Sequence, residues 1–157
     1  MSDTGVGTAT ASAQPGAWVD PYRAYNFKLV IQGVTAGHFT ACDGLGMRLQ
    51  VIRYREGAAN DVVHCVPGPV EYADVTLRYG LTASRELWDW FATAVRGRVQ
   101  RRNVSILMLD SNGSTEVMRW DLLNAWISEW RGTPLDALAR EVAIESITLV
   151  FENLERA

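Results

Sequence analysis

From position 26 onward, apolar side chains mostly recur at every second residue, in short segments cut by Gly, Pro, Asn and Asp. No other feature restricts the fold as strongly. A two-residue repeat puts one side of an extended segment against a core and the other outside it. Asn26–Ile31 carries Phe27, Leu29 and Ile31 on one side, and His38–Asp43 is a second strand ended by the turn pair Asp43-Gly44. In Arg48–Arg55, Leu49, Val51 and Arg53 alternate with Gln50, Ile52 and Tyr54. Val70–Leu81 reads as one long strand with Val75, Leu77, Tyr79 and Leu81 on a face. Asn103–Leu109 leads into Asp110-Ser111-Asn112-Gly113, whose Asn-Gly pair marks a hairpin. Thr115–Ala125, Trp126–Arg131 and Glu141–Phe151 follow, with Gly132-Thr133-Pro134 as an interruption. Between the third and fourth strands, Glu56–Pro69 holds two glycines and two prolines and reads as a long connection. Connections of that length inside a compact domain tend to be functional or mobile.

One segment departs from the two-residue period. In Arg85–Arg96, Leu87, Trp88, Phe91 and Val95 fall at i, i+1, i+4 and i+8, a helical stripe. Thr82 or Ser84 can cap its start, Glu86 suits the first turn, and Gly97 suits the stop. This phasing places Trp88 under the helix and turns Trp90 outward, where an exposed tryptophan would mark a subunit contact. Seven or eight strands and one helix make a mainly β fold. The expected architecture is a β-barrel or sandwich of two antiparallel sheets with one packed α-helix. A chain of 157 residues is enough for one domain. Residues 1–17 include twelve Gly, Ala, Ser or Thr, too little apolar surface to offset the entropy of ordering. The expected layout is a flexible arm, 1–19, ahead of a domain, 20–157.

Charge and motif content exclude several function classes. The formal net charge is −3, and the basic residues are Lys28 and arginines, a balance unlike the basic footprint of a general nucleic-acid binder. The longest apolar run, Ile106-Leu107-Met108-Leu109, is far below the ~20 residues of a membrane span. The N-terminus lacks the basic and apolar regions of a secretory signal. His38, Cys42, His64 and Cys65 are the only soft metal ligands, but their spacing is not that of a zinc site. His64 and Cys65, being adjacent, point to opposite faces of an extended chain. A Cys42–Cys65 disulfide is an alternative, and packed or exposed single residues fit better. There is no Gly-x-Ser-x-Gly elbow, and Gly44-Leu45-Gly46 lacks the third glycine of a dinucleotide fingerprint. No catalytic residue, cofactor or metal is expected. Arg96, Arg98, Arg101 and Arg102 read as a solvated group near the helix C-terminus or as a patch for inter-subunit salt bridges. A monomeric ligand-binding β-barrel is the reading from another class, and it needs an enclosed apolar pocket.

Taken together, the segments form a recognisable set. Asp20-Pro21-Tyr22-Arg23-Ala24-Tyr25-Asn26-Phe27 opens it, followed by Cys42-Asp43-Gly44-Leu45, Ile52-Arg53-Tyr54-Arg55-Glu56-Gly57 and Pro67-Gly68-Pro69. Val75-Thr76-Leu77-Arg78-Tyr79-Gly80-Leu81-Thr82, Leu87-Trp88-Asp89-Trp90, Arg101-Arg102-Asn103, Trp120, Asn124-Ala125-Trp126 and Glu141-Val142-Ala143-Ile144-Glu145 complete it. In order and spacing, over Asp20 to Leu154, the chain resembles the tail-tube family of contractile phages and phage-tail-like contractile injection systems. The type VI secretion tube protein is similar in fold and role.

The resemblance implies a structural subunit that forms hexameric rings, stacked into a hollow inner tube. It implies as partners other copies of the chain, a surrounding sheath protein, baseplate, spike and tail-terminator proteins, and effector cargo in the lumen. It also implies assembly in the bacterial cytoplasm, in a phage tail or injection particle, without membrane insertion of the subunit. Glu71 and Leu138-Ala139-Arg140 depart from the family pattern, which leaves a tube-initiator paralogue on the baseplate as the alternative. The expected assembly interface comprises Tyr54, Arg55, Glu56 and Gly57, then Pro67, Gly68 and Pro69, with Arg78, Trp90 and Arg101.

Overall fold

The computed structural model describes residues 27–33, 39–57, 61–81, 84–138 and 140–157. The expected arm, most of the opening motif, His38 and Thr82 lie outside them. Nine strands and one helix are found among the described residues: β1 (Phe27–Ile31), β2 (Phe39–Asp43), β3 (Met47–Arg55), β4 (Val63–Tyr72), β5 (Val75–Gly80), α1 (Glu86–Val95), β6 (Arg102–Leu109), β7 (Glu116–Arg131), β8 (Ile144–Val150) and β9 (Asn153–Arg156). Every strand pairing is antiparallel. The main sheet runs β1-β6-β7-β8-β5-β2, with β9 also on β7, while β3 and β4 form a separate two-stranded ribbon. The mainly β architecture with one helix is as expected. No described helix is long and apolar enough to cross a membrane.

One strand ties the barrel together. The sequence reads Thr115–Ala125 and Trp126–Arg131 as two segments, but β7 is continuous for 16 residues. Its first half pairs with β6 and β9, and its second half with β8. The change of partner falls beside Asn124, which has φ +54°, a left-handed conformation that asparagine tolerates better than most residues. Its amide N–H donates to Asn103 Oδ1 at 3.2 Å and its side chain donates to Glu152 Oε2 at 3.1 Å. A local bend thus lets one strand exchange its β6 and β9 partners for β8 without a break in the chain.

The two-residue period is realised as burial. Val75, Leu77 and Tyr79 of β5 point inward, as do Val104 and Ile106 of β6, Leu122, Ala125 and Ile127 of β7, and Ile147 and Leu149 of β8. Leu29 and Ile31 from β1 and Phe151 join them. The hairpin after β6 is the expected one. Gly113 has φ +72° and its N–H donates to the Asp110 carbonyl at 2.9 Å. Amide donation from Ser114 and Thr115 to Asp110 Oδ1 holds that carboxyl below its usual range.

The helix corrects the sequence reading. Trp90 is buried at 2% exposure, whereas Trp88 is 42% exposed. The stripes 87/88/91/95 and 87/90/91/94 both have helical period, and packing selects the second. The Trp90 indole N–H donates to the Gln100 carbonyl at 2.8 Å, and the Arg102 guanidinium lies 5.1 Å over its ring. Trp88 instead meets Trp130 edge-on, with centroids 4.9 Å apart. Ser84 does not act as the cap: the N-cap is Arg85, and no side chain caps it among the described residues, outside which Thr82 lies. Gly97, at φ +85°, ends the helix as expected.

Three further corrections concern strand limits. The closing strand begins at Ile144 rather than Glu141, and β9 is an additional strand. The long strand Val70–Leu81 is broken at Ala73-Asp74. The second half of the connection Glu56–Pro69 is strand, since β4 starts at Val63. The last two arise from one feature, the ribbon.

Candidate assembly interface

The ribbon leaves the barrel through a tight crossing. Gly44 has φ +87°, and a Cβ there would lie 2.4 Å from the Asp74 carbonyl oxygen, so only glycine lets the two chain segments pass this closely. The Ala73 N–H donates to the Gly46 carbonyl at 2.9 Å and closes the root. Beyond it, Met47 pairs with Tyr72, Leu49 with Val70, Val51 with Pro67, Ile52 with Val66, Arg53 with Cys65, Tyr54 with His64 and Arg55 with Val63. The register shifts between Leu49 and Val51, where Gly68 and Pro69 oppose Gln50 alone. This is a β-bulge. A Cβ on Gly68 would sit 3.1 Å from the Gln50 carbonyl oxygen, which accounts for glycine at the bulge. Two prolines survive within β4 because an isolated ribbon has a free side on which no ladder hydrogen bond is needed.

Residues facing each other across an antiparallel pair share a face. One face therefore carries Met47, Leu49, Val51, Arg53 and Arg55 with Tyr72, Val70, Pro67, Cys65 and Val63. The opposite face carries Arg48, Gln50, Ile52 and Tyr54 with Glu71, Val66 and His64. Side-chain contacts agree with this division. Arg48 pairs with Glu71 at 3.4 Å, the Gln50 amide donates to the same carboxylate, and Tyr54 stacks on His64 with centroids 5.2 Å apart. His64 Nε2 is 3.5 Å from Glu56 Oε2 at the far end.

Among the described residues, nothing covers either face beyond the root. All of β3 is exposed, including Met47, Leu49, Val51, Ile52 and Tyr54; Val62, Val63, Val66 and Val70 are exposed beside them. At the root, Tyr72 meets the barrel: its hydroxyl donates to Asn153 Oδ1 at 3.1 Å and its ring lies 5.4 Å from Phe151. A contiguous apolar surface of this kind is rare on a subunit that functions alone.

Seven of the ten expected interface residues lie on or at the end of this ribbon: Tyr54, Arg55, Glu56, Gly57, Pro67, Gly68 and Pro69. The other three do not. Arg78 is on β5 and pairs with Asp43 at 3.5 Å, Arg101 pairs with Glu152 at 3.2 Å, and Trp90 is in the core. The ribbon's apolar residues, from Met47 to Val70, were not among the expected ones. Their signal was the adjacent apolar pairs Val51-Ile52 and Val62-Val63, which no one-sided strand accommodates.

Elsewhere the chemistry is sparse. Cys42 and Cys65 are both free, Cys42 on β2 and Cys65 on the ribbon. Burial, and secondarily the Asp43 carboxylate, push the Cys42 thiol up to about 11. Burial and then a hydrogen bond with Glu145 raise the Tyr79 phenol. Ser105 donates to Asp121 Oδ1 at 2.6 Å and Arg119 Nε at 2.9 Å, and these hold that carboxyl below its usual range. No group of three His, Cys, Asp or Glu among the described residues could hold a metal ion. The barrel interior is filled by side chains such as Leu77, Leu122, Ile127, Ile147 and Leu149. An apolar cleft of about 590 Å³ beside β2, lined by Phe27, Phe39, Cys42, Leu45, Met108 and Trp120 among others, is open to solvent.

The sequence matches the family model described as T4-like virus tail tube protein gp19 over residues 23–155. No curated protein matches it significantly. Among solved structures, it is similar to a chain of the sheath–tube complex of an extracellular contractile injection system (PVC, extended state). That match has 25% identity and a TM-score of 0.79, covering 87% of this chain and 91% of the other. A chain of the tube-terminating cap of the anti-feeding prophage shares the fold at 22% identity and TM-score 0.82, covering 95% and 99%. Hcp1 from Flavobacterium johnsoniae shares it more distantly, at 11% identity and TM-score 0.52, covering 83% and 93%.

Proposed function

The chain belongs to the T4-like virus tail tube protein family, and on that footing we propose that its copies join through the β3–β4 ribbon into hexameric rings, stacked as the hollow inner tube of a phage tail or contractile injection system. The carrying observation is the ribbon itself, apolar on parts of both faces and, among the described residues, left exposed on both. A monomer gains nothing from such an element, and a repeating assembly buries it at every joint. The role is structural, with no catalytic step. A sheath around the tube, a baseplate below it and a terminator above it are the partners this role requires. Similarity to a chain of a sheath–tube complex supports the first of them. Folding and assembly in the bacterial cytoplasm complete the reading.

Negative-stain microscopy of the purified chain at rising concentration tests it. Six-fold rings or tubes are the expected result, and the double variant Leu49→Glu/Ile52→Glu should yield a folded chain that forms neither. A chain that stays monomeric at high concentration, or a double variant that still assembles, overturns the proposal.

A further inference from the structure

We infer that the tip of the β6–β7 hairpin is a site of self-modification: the Gly113 amide nitrogen attacks the Asn112 side chain and converts it to aspartate or isoaspartate, at a rate that Asp110 sets by holding the turn closed. The inference comes from comparing the asparagines of the chain and does not depend on how its copies assemble.

Asparagine is thermolabile because the backbone nitrogen of the next residue can reach its side-chain carbonyl carbon. Two things oppose this attack. A side chain on the following residue crowds the nitrogen, and hydrogen bonds hold the asparagine amide in place. The described asparagines other than Asn112 have both protections. Asn103, Asn124 and Asn153 are followed by Val104, Ala125 and Leu154. Asn103 Oδ1 accepts from the Asn124 N–H at 3.2 Å, and the Asn124 side chain donates to Glu152 Oε2 at 3.1 Å. Asn153 Oδ1 accepts from the Tyr72 hydroxyl at 3.1 Å and from the Leu154 N–H at 2.9 Å. Asn112 has neither protection. It is exposed, glycine follows it, and no hydrogen bond engages its side chain among the described residues.

The reaction needs only the chain and water. A bond forms between the Gly113 nitrogen and Asn112 Cγ, the Cγ–Nδ2 bond breaks, and ammonia leaves with the Gly113 amide proton. Water then opens the cyclic imide. Opening at Cγ gives aspartate on the original backbone, and opening at the main-chain carbonyl gives isoaspartate, whose backbone runs through Cβ and Cγ. Either product adds a carboxylate close to Asp110. The turn itself delays the attack. The Gly113 N–H donates to the Asp110 carbonyl at 2.9 Å, so the nitrogen must give up that bond as well as its proton. Asp110 Oδ1 also accepts from the Ser114 and Thr115 amides at 3.0 and 3.2 Å. One aspartate thus fixes the chain on both sides of the Asn112–Gly113 bond, and loss of one such hydrogen bond raises the open population about fivefold.

Mass spectrometry of peptides tests the site. The full chain is incubated at mildly alkaline pH in heavy-oxygen water and then digested. Asn112 should gain a labelled carboxylate in both aspartyl and isoaspartyl forms, while Asn103, Asn124 and Asn153 stay intact. Asp110→Ala should speed the conversion about fivefold with its urea midpoint showing that the barrel is still folded. If that variant melts early, Asp110→Ser, which keeps an acceptor oxygen, takes its place with a smaller increase. An intact Asn112 in the folded chain, or equal conversion at the other three asparagines, overturns the site. Conversion at the parent rate in the Asp110 variants overturns the guarding role of Asp110.

Discussion

Ile147 and Ile52 each lie in a strand with alternating apolar residues, yet one is 1% exposed and the other 51%. The barrel and the ribbon differ in what covers them rather than in composition. Barrel strands have cover within the subunit: inward side chains of β1 and β6 pack in one core with those of β5, β7 and β8, and α1 adds Leu87 and Trp90 to it. The ribbon also carries Val, Leu and Ile, but its described contacts with the barrel are those of Tyr72 at its root. An alternating pattern therefore states that a strand will have a buried face, but not whether the cover is made by folding or by assembly.

The largest expected effect breaks the comparison if it fails. Leu122→Ala removes a fully buried side chain from β7 and should lower the unfolding free energy of the unassembled chain by about 3 kcal/mol. Leu49→Ala, the same chemical change on the ribbon, should stay within about 0.5 kcal/mol by that measure while reducing assembly. Equal loss of stability in urea titrations would mean that the ribbon is part of the subunit's core after all.

The junction between the two regions should come next in size. Gly44→Ala combines a left-handed backbone with a Cβ placed 2.4 Å from the Asp74 carbonyl oxygen, and the expected loss is about 2 kcal/mol or more. Gly68→Ala at the bulge has no φ problem and a tight but not prohibitive 3.1 Å contact, so its loss should be under about 1 kcal/mol. If the two variants melt alike in urea, the root is less rigid than its geometry implies.

These contrasts also mark what the sequence makes legible. Most strands, the helix, the Asp110–Gly113 turn and the Gly97 stop can be read from period and turn chemistry, because each is decided within a few residues. The Trp88/Trp90 choice is not decided locally, since both phasings are helical and only Gln100 and Arg102, brought near by the fold, favour Trp90. β9 is four residues long and gains its place by pairing with the first half of β7. Pro67, Gly68 and Pro69 read as loop because prolines are poor in paired strands, and a ribbon with free sides lifts that restriction. For the proposed interface, the same residues point to the segment that forms the ribbon. Its apolar content was concealed by the assumption that any strand buries only one face.

The smallest effect uses the two native thiols, one in each region. The thiolate is the reactive form, and the Cys42 thiol is pushed up to about 11 by burial and by the neighbouring Asp43 carboxylate. At pH 7 Cys42 should thus react with a maleimide far more slowly than exposed Cys65. Its rate should keep rising with pH beyond 9, because deprotonation is delayed toward 11 in the folded chain. Assembly should change only the ribbon's thiol, because Cys65 shares the Leu49 face while Cys42 is already half-buried within its own subunit. Labelling followed by mass spectrometry, before and after tube formation, should show slower reaction at Cys65 and none of that change at Cys42. Slowing at Cys42 instead would locate the new cover on the barrel near β2, and the ribbon would lose its claim to be the surface that folding leaves for assembly.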